Sequence, residues 1–410
     1  MNDQTITLII VLLTYAGVAL GFLPRLRADR TTIALIGVGV LLVFDQVSLA
    51  DIPGFLDIDT LVLLFSMMVI NSNLRLAGFF KLTGVYLLRM TRKPREFLLI
   101  EVIVVGILSA LFLNDAICIM FTPLLLELLV AIDRNPIPYL IALATAANIG
   151  SVATLTGNPQ NMIIGSASGI SYTQFIFALA PIAVICLGIV WIVLVLMYKQ
   201  EFSRKNFFNI PPPEEIRYYK PLLVKSLIVV IGMLIAFIIG VPVALASFIA
   251  ACVLMITRRI KPEKIFAGVD WGILTFFAAL FIITGALEKN DVTTILLNAL
   301  TISDQANALS LSLITAALSN LVSNVPAVML LKPLVSSLSN PTAGWLTLAA
   351  SSTLAGNLTL LGSVANLIVA ESAKRRKIVL SFWEYTKSGL IITLLTMVIS
   401  TAWLAIFIWN

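Results

Sequence analysis

The sequence predicts an all-α polytopic membrane protein. About ten transmembrane helices and two re-entrant hairpins are expected, arranged as two inverted repeats. Three observations predict this. Of 410 residues, 60% are hydrophobic and only 12% charged, whereas soluble domains run near about 45–50% and about 25%. Apolar runs close to the roughly 20 residues that a bilayer requires recur along the chain. Polar motifs of the first half return in the second at nearly constant spacing.

The first run, 5–22, follows an acidic start with no basic segment, and no small-x-small cleavage site precedes Arg25. It is expected to be a retained span rather than a signal peptide. Further spans are expected at 31–48, 59–77, 175–198, 222–240, 243–257, 271–288 and 387–409. The runs 97–132 and 306–339 fold around polar tips, Asn114-Asp115 in one and Asn324 in the other. The runs 139–170 and 345–371 are long but interrupted by Gly, Asn, Thr and Ser.

The net charge of +6 belongs to short loops, where it sets topology and is no nucleic-acid footprint. Arg25, Arg27 and Arg30 mark one loop as cytoplasmic. So do Arg75, Lys81, Arg89, Arg92, Lys93 and Arg95, and the stretch 199–225 around Pro211-Pro212-Pro213. Arg258, Arg259, Lys261, Lys264 and the run from Lys374 to Lys377 are likewise inside. The loop 45–59 carries four Asp and neither Lys nor Arg, so it reads as outside. The assignment closes only if 97–132 enters and leaves from the cytoplasm and 306–339 from outside. Residues 1–198 then form the first repeat, 199–221 a cytoplasmic linker and 222–410 the oppositely oriented second repeat, in the cell's inner (plasma) membrane.

The internal alignment supports this independently. Ser109, Asn114, Pro123 and Leu124 fall on Ser319, Asn324, Pro333 and Leu334, all at one offset. Ala144, Thr154, Leu155, Gly157 and Asn161 fall on Ala349, Thr359, Leu360, Gly362 and Asn366, again at one offset. Repeats of opposite membrane orientation mark an alternating-access transporter.

Irregular backbone at membrane depth survives only where protein or a watery cavity covers it. The stretch GNPQN, 157–161, is therefore an enclosed break. Asn158 suits an N-cap and Pro159 suits the first helical position, so a half-helix starts there with its positive end toward a cavity. Gly362-Ser363 is the matching break. Such a site suits a small oxygen-rich solute, neutral or anionic. Scattered residues such as Ser66 and Thr353 read instead as polar glue between helices.

Asp115 is the sharpest single residue, because an acid at membrane depth is a functional hypothesis by default. It is a candidate carrier of a coupling proton, or an oxygen ligand for Na⁺. The plainer alternative is a structural carboxylate held by helix N-termini. Lys332, Glu127 and Arg75 read as interface anchors, and Glu288, Lys289 and Asp291 as a solvated loop. Three separated cysteines, Cys118, Cys186 and Cys252, give neither a disulfide framework nor a metal signature. Cys118 alone could meet a thiophilic solute. With no histidine, no HExxH and no nucleophile–base pair, an enzyme is not expected, and neither cofactor nor bound metal is implied.

LFLNDAICIMFTPLLLELL resembles the hairpin of the arsenite permease and sodium/proton antiporter branch of the ion transporter superfamily. ANIGSVATLTGNPQN is similar to that branch's glycine-rich motif, in the form found among anion and metalloid permeases, including plant silicon efflux transporters. LSNLVSNVPAVMLL and AGNLTLLGSVANLIVAE resemble the second-half motifs. The resemblance implies a central site to which each repeat contributes a hairpin tip and a helix break. It places Asn114, Asp115, Asn148, Gly157, Asn158 and Asn161 in the first half-site. Asn324, Asn357, Gly362, Ser363 and Asn366 belong to the second. The Ser-Asn-Thr tips of dicarboxylate relatives are absent: Leu113-Asn114-Asp115 and Ser323-Asn324-Val325 stand there, which points away from dicarboxylates. A partner ATPase accompanies some arsenite members.

The leading expectation is proton-coupled efflux of an arsenite- or antimonite-type hydroxide or a small inorganic anion, with Asp115 carrying the proton. The lack of Lys and Arg through 139–198 and 345–371 favours a neutral or weakly charged solute. The alternatives are a Na⁺/H⁺ antiporter and a Na⁺-driven anion or carboxylate symporter.

Overall fold

The structure is a computed structural model that describes residues 3–20, 28–90, 93–202, 218–257, 260–292 and 307–409. Arg25, Arg27, Arg92, Arg258, Arg259 and the proline run of the linker lie outside the described residues, as does the side chain of Arg89. All regular structure among the described residues is helical.

In the first half, α1 (Asp3–Leu20), α2 (Arg30–Val43), the short α3 (Ile52–Phe55) and α4 (Ile58–Ala77) lead to α5 (Phe79–Met90). The hairpin follows as α6 (Pro94–Leu111) and α7 (Asn114–Ala131). The broken span is α8 (Ile137–Ser151) and α9 (Pro159–Ser168), then α10 (Tyr172–Met197) and the short α11 (Lys199–Phe202). The second half runs α12 (Lys220–Ile238), α13 (Val243–Met255), the short α14 (Pro262–Phe266) and α15 (Trp271–Lys289). Its hairpin is α16 (Ala308–Val322) and α17 (Asn324–Ser337), its broken span α18 (Pro341–Ala355) and α19 (Val364–Arg375), and its last helix α20 (Phe382–Phe407).

Among the described residues, seven helices are long and apolar enough to cross a membrane, one of them the hairpin arm α7. The expected span 31–48 is shorter as a helix, because α2 stops at Val43 and Asp45 turns the chain with φ 55°. The basic stretch 75–95 is not merely a loop: Gly78, left-handed at φ 85°, ends α4 and lets α5 begin at once. Glycine tolerates that conformation without a Cβ clash.

The halves repeat their start signals. Asp57 caps α4 by accepting from the Thr60 N–H at 3.0 Å, and Asp270, at the matching place in the second half, caps α15 by accepting from the Ile273 N–H at 3.0 Å. Ser171 caps α10, and its mate Ser381 caps α20. Each cap satisfies one of the four N–H groups that a helix start leaves unpaired.

The two broken spans form the centre. Every residue of α8 from Pro138 to Ser151 is buried, and so is every residue of α18 from Ala343 to Ala355. Small residues permit this closeness: a Cβ on Gly150 would lie 2.5 Å from the Cα of Gly106 in α6. The outer helices α10, α12 and α20 expose Phe177, Ile228, Ile238 and Val398. An apolar exterior of this kind faces lipid.

Candidate functional site

Both breaks share one local design. After α8 ends, the Asn161 amide turns back and donates to the Ser151 carbonyl at 3.0 Å and the Thr154 carbonyl at 2.9 Å. After α18 ends, the Asn366 amide donates to the Gly356 carbonyl at 2.8 Å and the Thr359 carbonyl at 3.0 Å. Ser151, Thr154 and Asn161 are the mates of Gly356, Thr359 and Asn366 in the alignment of the two breaks. One side chain in each break thus satisfies the carbonyls that the interrupted helix orphans.

Gly157 and Gly362 contribute backbone rather than side chains. A Cβ on Gly157 would sit 2.5 Å from the Ser151 carbonyl oxygen, and one on Gly362 would sit 2.8 Å from the Gly356 carbonyl oxygen. Each break therefore folds back on the end of its own first arm. Asn158 caps α9, accepting from the Asn161 N–H at 2.9 Å. Ser363 caps α19, accepting from the Ala365 N–H at 3.3 Å.

The hairpin tips dock on these breaks. The Asn114 N–H donates to the Gly157 carbonyl at 3.0 Å. In the second half, Ser319 donates to the Ser352 carbonyl at 2.9 Å and to Asn324 Oδ1 at 2.6 Å. Ser323, between the arms, turns the chain with φ 79°.

Asn148 joins the halves. Its Oδ1 accepts from Asn114 Nδ2 at 3.0 Å and Ser363 Oγ at 3.1 Å. Its Nδ2 donates to Asn357 Oδ1 at 2.8 Å and Asn366 Oδ1 at 3.1 Å. Asn114, Asn148, Asn357, Ser363 and Asn366, all expected at the site, thus meet in one buried cluster. Asn158 and Asn161 form a neighbouring pair. Among the described residues, Asn324 and Asp115 are not hydrogen-bonded to the cluster; they line the adjoining cavity.

Sequence reasoning missed Thr353. Read as general glue, it accepts from Asn158 Nδ2 at 3.2 Å and Gln160 Nε2 at 3.0 Å across the repeat boundary. Its signal was available, because Thr353 falls on Asn148 when the two breaks are aligned. Ser66 does bond only within its own helix, to the Val62 carbonyl. Cys118 is fully buried and does not line the cavity. Among the described residues, no cluster of His, Cys, Asp or Glu could hold a metal.

A cavity of about 450 Å³ reaches both tips. Asn114, Asp115, Gln160, Asn324 and Ser363 form its polar floor, and Asp29, Arg30, Phe276 and Glu371 its walls. Within the cluster, Asn114 Oδ1 and Asn357 Nδ2 are buried without a hydrogen-bond partner among the described residues. Arg30 and Glu371 were not anticipated as lining residues. Arg30 approaches on α2, which carries no break motif, whereas Glu371 lies two turns into the half-helix that starts at the Gly362-Ser363 break.

A second cavity, of about 410 Å³, is the repeat image of the walls of the first. Pro242, Val243 and Ala244 open α13 as Asp29, Arg30 and Thr31 open α2, and each trio lines its own cavity. Thr60 and Leu63 match Ile273 and Phe276 when the caps Asp57 and Asp270 are superposed. Met162 and Ser166 match Leu367 and Glu371 in the alignment of the two breaks. This cavity stops at Leu155, Tyr172 and Phe237 and touches neither tip. The Tyr172 and Phe237 rings lie 4.8 Å apart.

Comparison with known proteins agrees with this architecture. The chain is 31% identical over 432 aligned residues to a "46 kDa membrane protein" of Mycobacterium leprae, covering 99% of this chain and 98% of that protein. It is 31% identical to the silicon efflux transporter LSI3 of Oryza sativa subsp. japonica, covering 92% of each. The solved YdaH transporter of Alcanivorax borkumensis shares the fold, with TM-score 0.64 and 16% identity over 100% of this chain and 98% of that one. The model of the citrate transporter family, CitMHS, matches residues 8–355. The chain therefore belongs to the CitMHS family and is a multi-pass membrane transporter rather than an enzyme.

Proposed function

We propose that this transporter exports a small metalloid hydroxide, of arsenite or antimonite type, in exchange for protons by alternating access. One observation carries the reading. Two repeat-related cavities are present, and only one of them reaches the hairpin tips. In an inverted repeat, exchanging the conformations of the halves closes the first cavity and opens the second. Glu371 lies one turn before the basic run Lys374–Lys377, which supports placing the open cavity on the cytoplasmic side.

The chemistry of the floor fits a hydroxide. Asn114 Oδ1, on the floor, is an unpaired acceptor that an M–OH group can satisfy as donor. A buried amide left unpaired costs about 1–3 kcal/mol. Asp115 lines the same cavity as an acid at the tip and serves as the proton carrier. The similarity to a silicon efflux transporter supports the class of solute.

A second reading, export or uptake of a carboxylate or other anion, is favoured by Arg30 in the cavity wall and by the citrate transporter family. Everted vesicles decide between the two. Proton-gradient-driven arsenite uptake that is lost in Asp115→Asn is the expected result. Citrate uptake without arsenite uptake would overturn the hydroxide reading. Collapse of the proton gradient by Na⁺ alone would move the protein to Na⁺/H⁺ antiport.

A further inference from the structure

On the side of the second cavity, which stops short of the tips, one contact joins two helices of the first half. Ser166 Oγ donates to Asp57 Oδ1 at 3.0 Å, tying the end of α9 to the start of α4. The mates of these two residues flank the open cavity. Asp270, the mate of Asp57, caps α15, and Glu371, the mate of Ser166, lines the wall on α19. Exchange of the two half conformations brings α19 to α15 as α9 now meets α4. Where the outer side has a hydroxyl against a carboxylate, the inner side has two carboxylates.

Two carboxylates at hydrogen-bond distance repel and close poorly by themselves. Arg30 supplies what is missing. It lines the same cavity from α2, which packs beside α15, with Thr31 Oγ1 donating to the Gly272 carbonyl at 3.3 Å. Its mate in the second cavity is the apolar Val243. Arg30, Asp270 and Glu371 make no ion pair among the described residues. Nearby Asp29 is engaged at its own cap with Thr32, and Arg376 pairs with Glu127 at 3.8 Å.

We infer that Arg30, Asp270 and Glu371 form an ionic latch that shuts the cytoplasmic cavity in the outward-facing state. The planar guanidinium presents donors in a fork and spans two carboxylates at once. The outer latch is a single hydroxyl–carboxylate bond, and the inner latch is a charge-assisted bridge. This inference rests on the alternating-access reading above and adds to it the residues that close the inner side.

The test uses full-length protein with Cys118, Cys186 and Cys252 replaced by Ala. A probe cysteine is placed in the inner cavity (Leu367→Cys) or the outer one (Ala244→Cys). Labelling by a membrane-impermeant maleimide is timed in vesicles of each orientation. Arg30→Gln and Glu371→Gln are expected to raise inner labelling and lower outer labelling, each by about fivefold, the factor that roughly 1 kcal/mol gives. The exchange Arg30→Glu with Glu371→Arg is expected to return both rates toward the parent. Unchanged rates in the two single variants would overturn the latch while leaving alternating access standing. An outer probe that never labels in the parent, with or without a proton gradient, would overturn alternating access and the latch with it.

Discussion

Asn148 and Thr353 hold the same position in the two repeats, and each reaches the helix cap of the other repeat. Asn148 accepts from Ser363 at 3.1 Å, and Thr353 accepts from Asn158 at 3.2 Å. Ser363 and Asn158 are themselves mates, so the two bonds are images of one another. The halves are clasped at their centre by a reciprocal pair.

The two clasps differ in weight. Asn148 also serves Asn114, Asn357 and Asn366, whereas Thr353 serves Gln160 besides its cap. Asn148→Ala is expected to destabilise more than Thr353→Ala, because it strands several buried amides at about 1–3 kcal/mol each. A double-mutant cycle of Asn148→Ala with Ser363→Ala, read by thermal unfolding in detergent, is expected to return a coupling of about 1 kcal/mol.

The glycines of the breaks are steric requirements. Gly157→Ala would press a methyl group to 2.5 Å from a backbone oxygen and 2.7 Å from the Cα of Ser151. Backbone cannot move aside as a side-chain tip can. A loss of about 1–3 kcal/mol and of most transport is expected. Gly362→Ala, with its nearest contact at 2.8 Å, is expected to be milder in both assays.

The Ser166–Asp57 contact gives a direct handle on the proposed cycle. Asp57→Cys with Ser166→Cys, in protein with the three native cysteines replaced by Ala, is expected to cross-link on mild oxidation. Transport should stop and return on reduction. Either single variant should keep transport under oxidant, and a freely transporting cross-linked double variant would contradict the closure described.

At the periphery, Lys289 pairs with Asp51 at 2.6 Å and holds its carboxyl down at about 2, with help from the Ser48 N–H and hydroxyl. A depressed carboxyl contributes stability above its unfolded value of about 4 and loses it as pH falls toward about 2. Lys289→Gln is expected to lower the melting temperature above that window. The difference from the parent should vanish toward its acid end in tryptophan-fluorescence melts.

Much of this was legible because two independent signals coincided on the same residues. GNPQN is a turn sequence inside an apolar run, and Asn161 and Gly157 have mates where the second break falls. Composition and apolar run length give several spans almost to the residue, as with 59–77 against Ile58–Ala77. What stayed hidden was carried by tertiary approach. Arg30 reads as a topology signal because positive residues crowd cytoplasmic loops, and only the packing of α2 beside α15 turns it into a cavity wall. Glu371 reads only as the last residue of the run 345–371. Thr353 was overlooked because Asn and Thr do not look alike, although both offer an oxygen at the same place.

The central clasp is built from amides and hydroxyls, none of which gains or loses a proton across the range in which cells live. Under the proposed proton exchange, grip and drive are separate parts of the machine. Half-saturation for an uncharged solute is then expected to stay level as acidity changes, while maximal turnover follows the carboxylates beside the cluster. On that proposal energy from a gradient enters at Asp115, and recognition by the amides is left undisturbed.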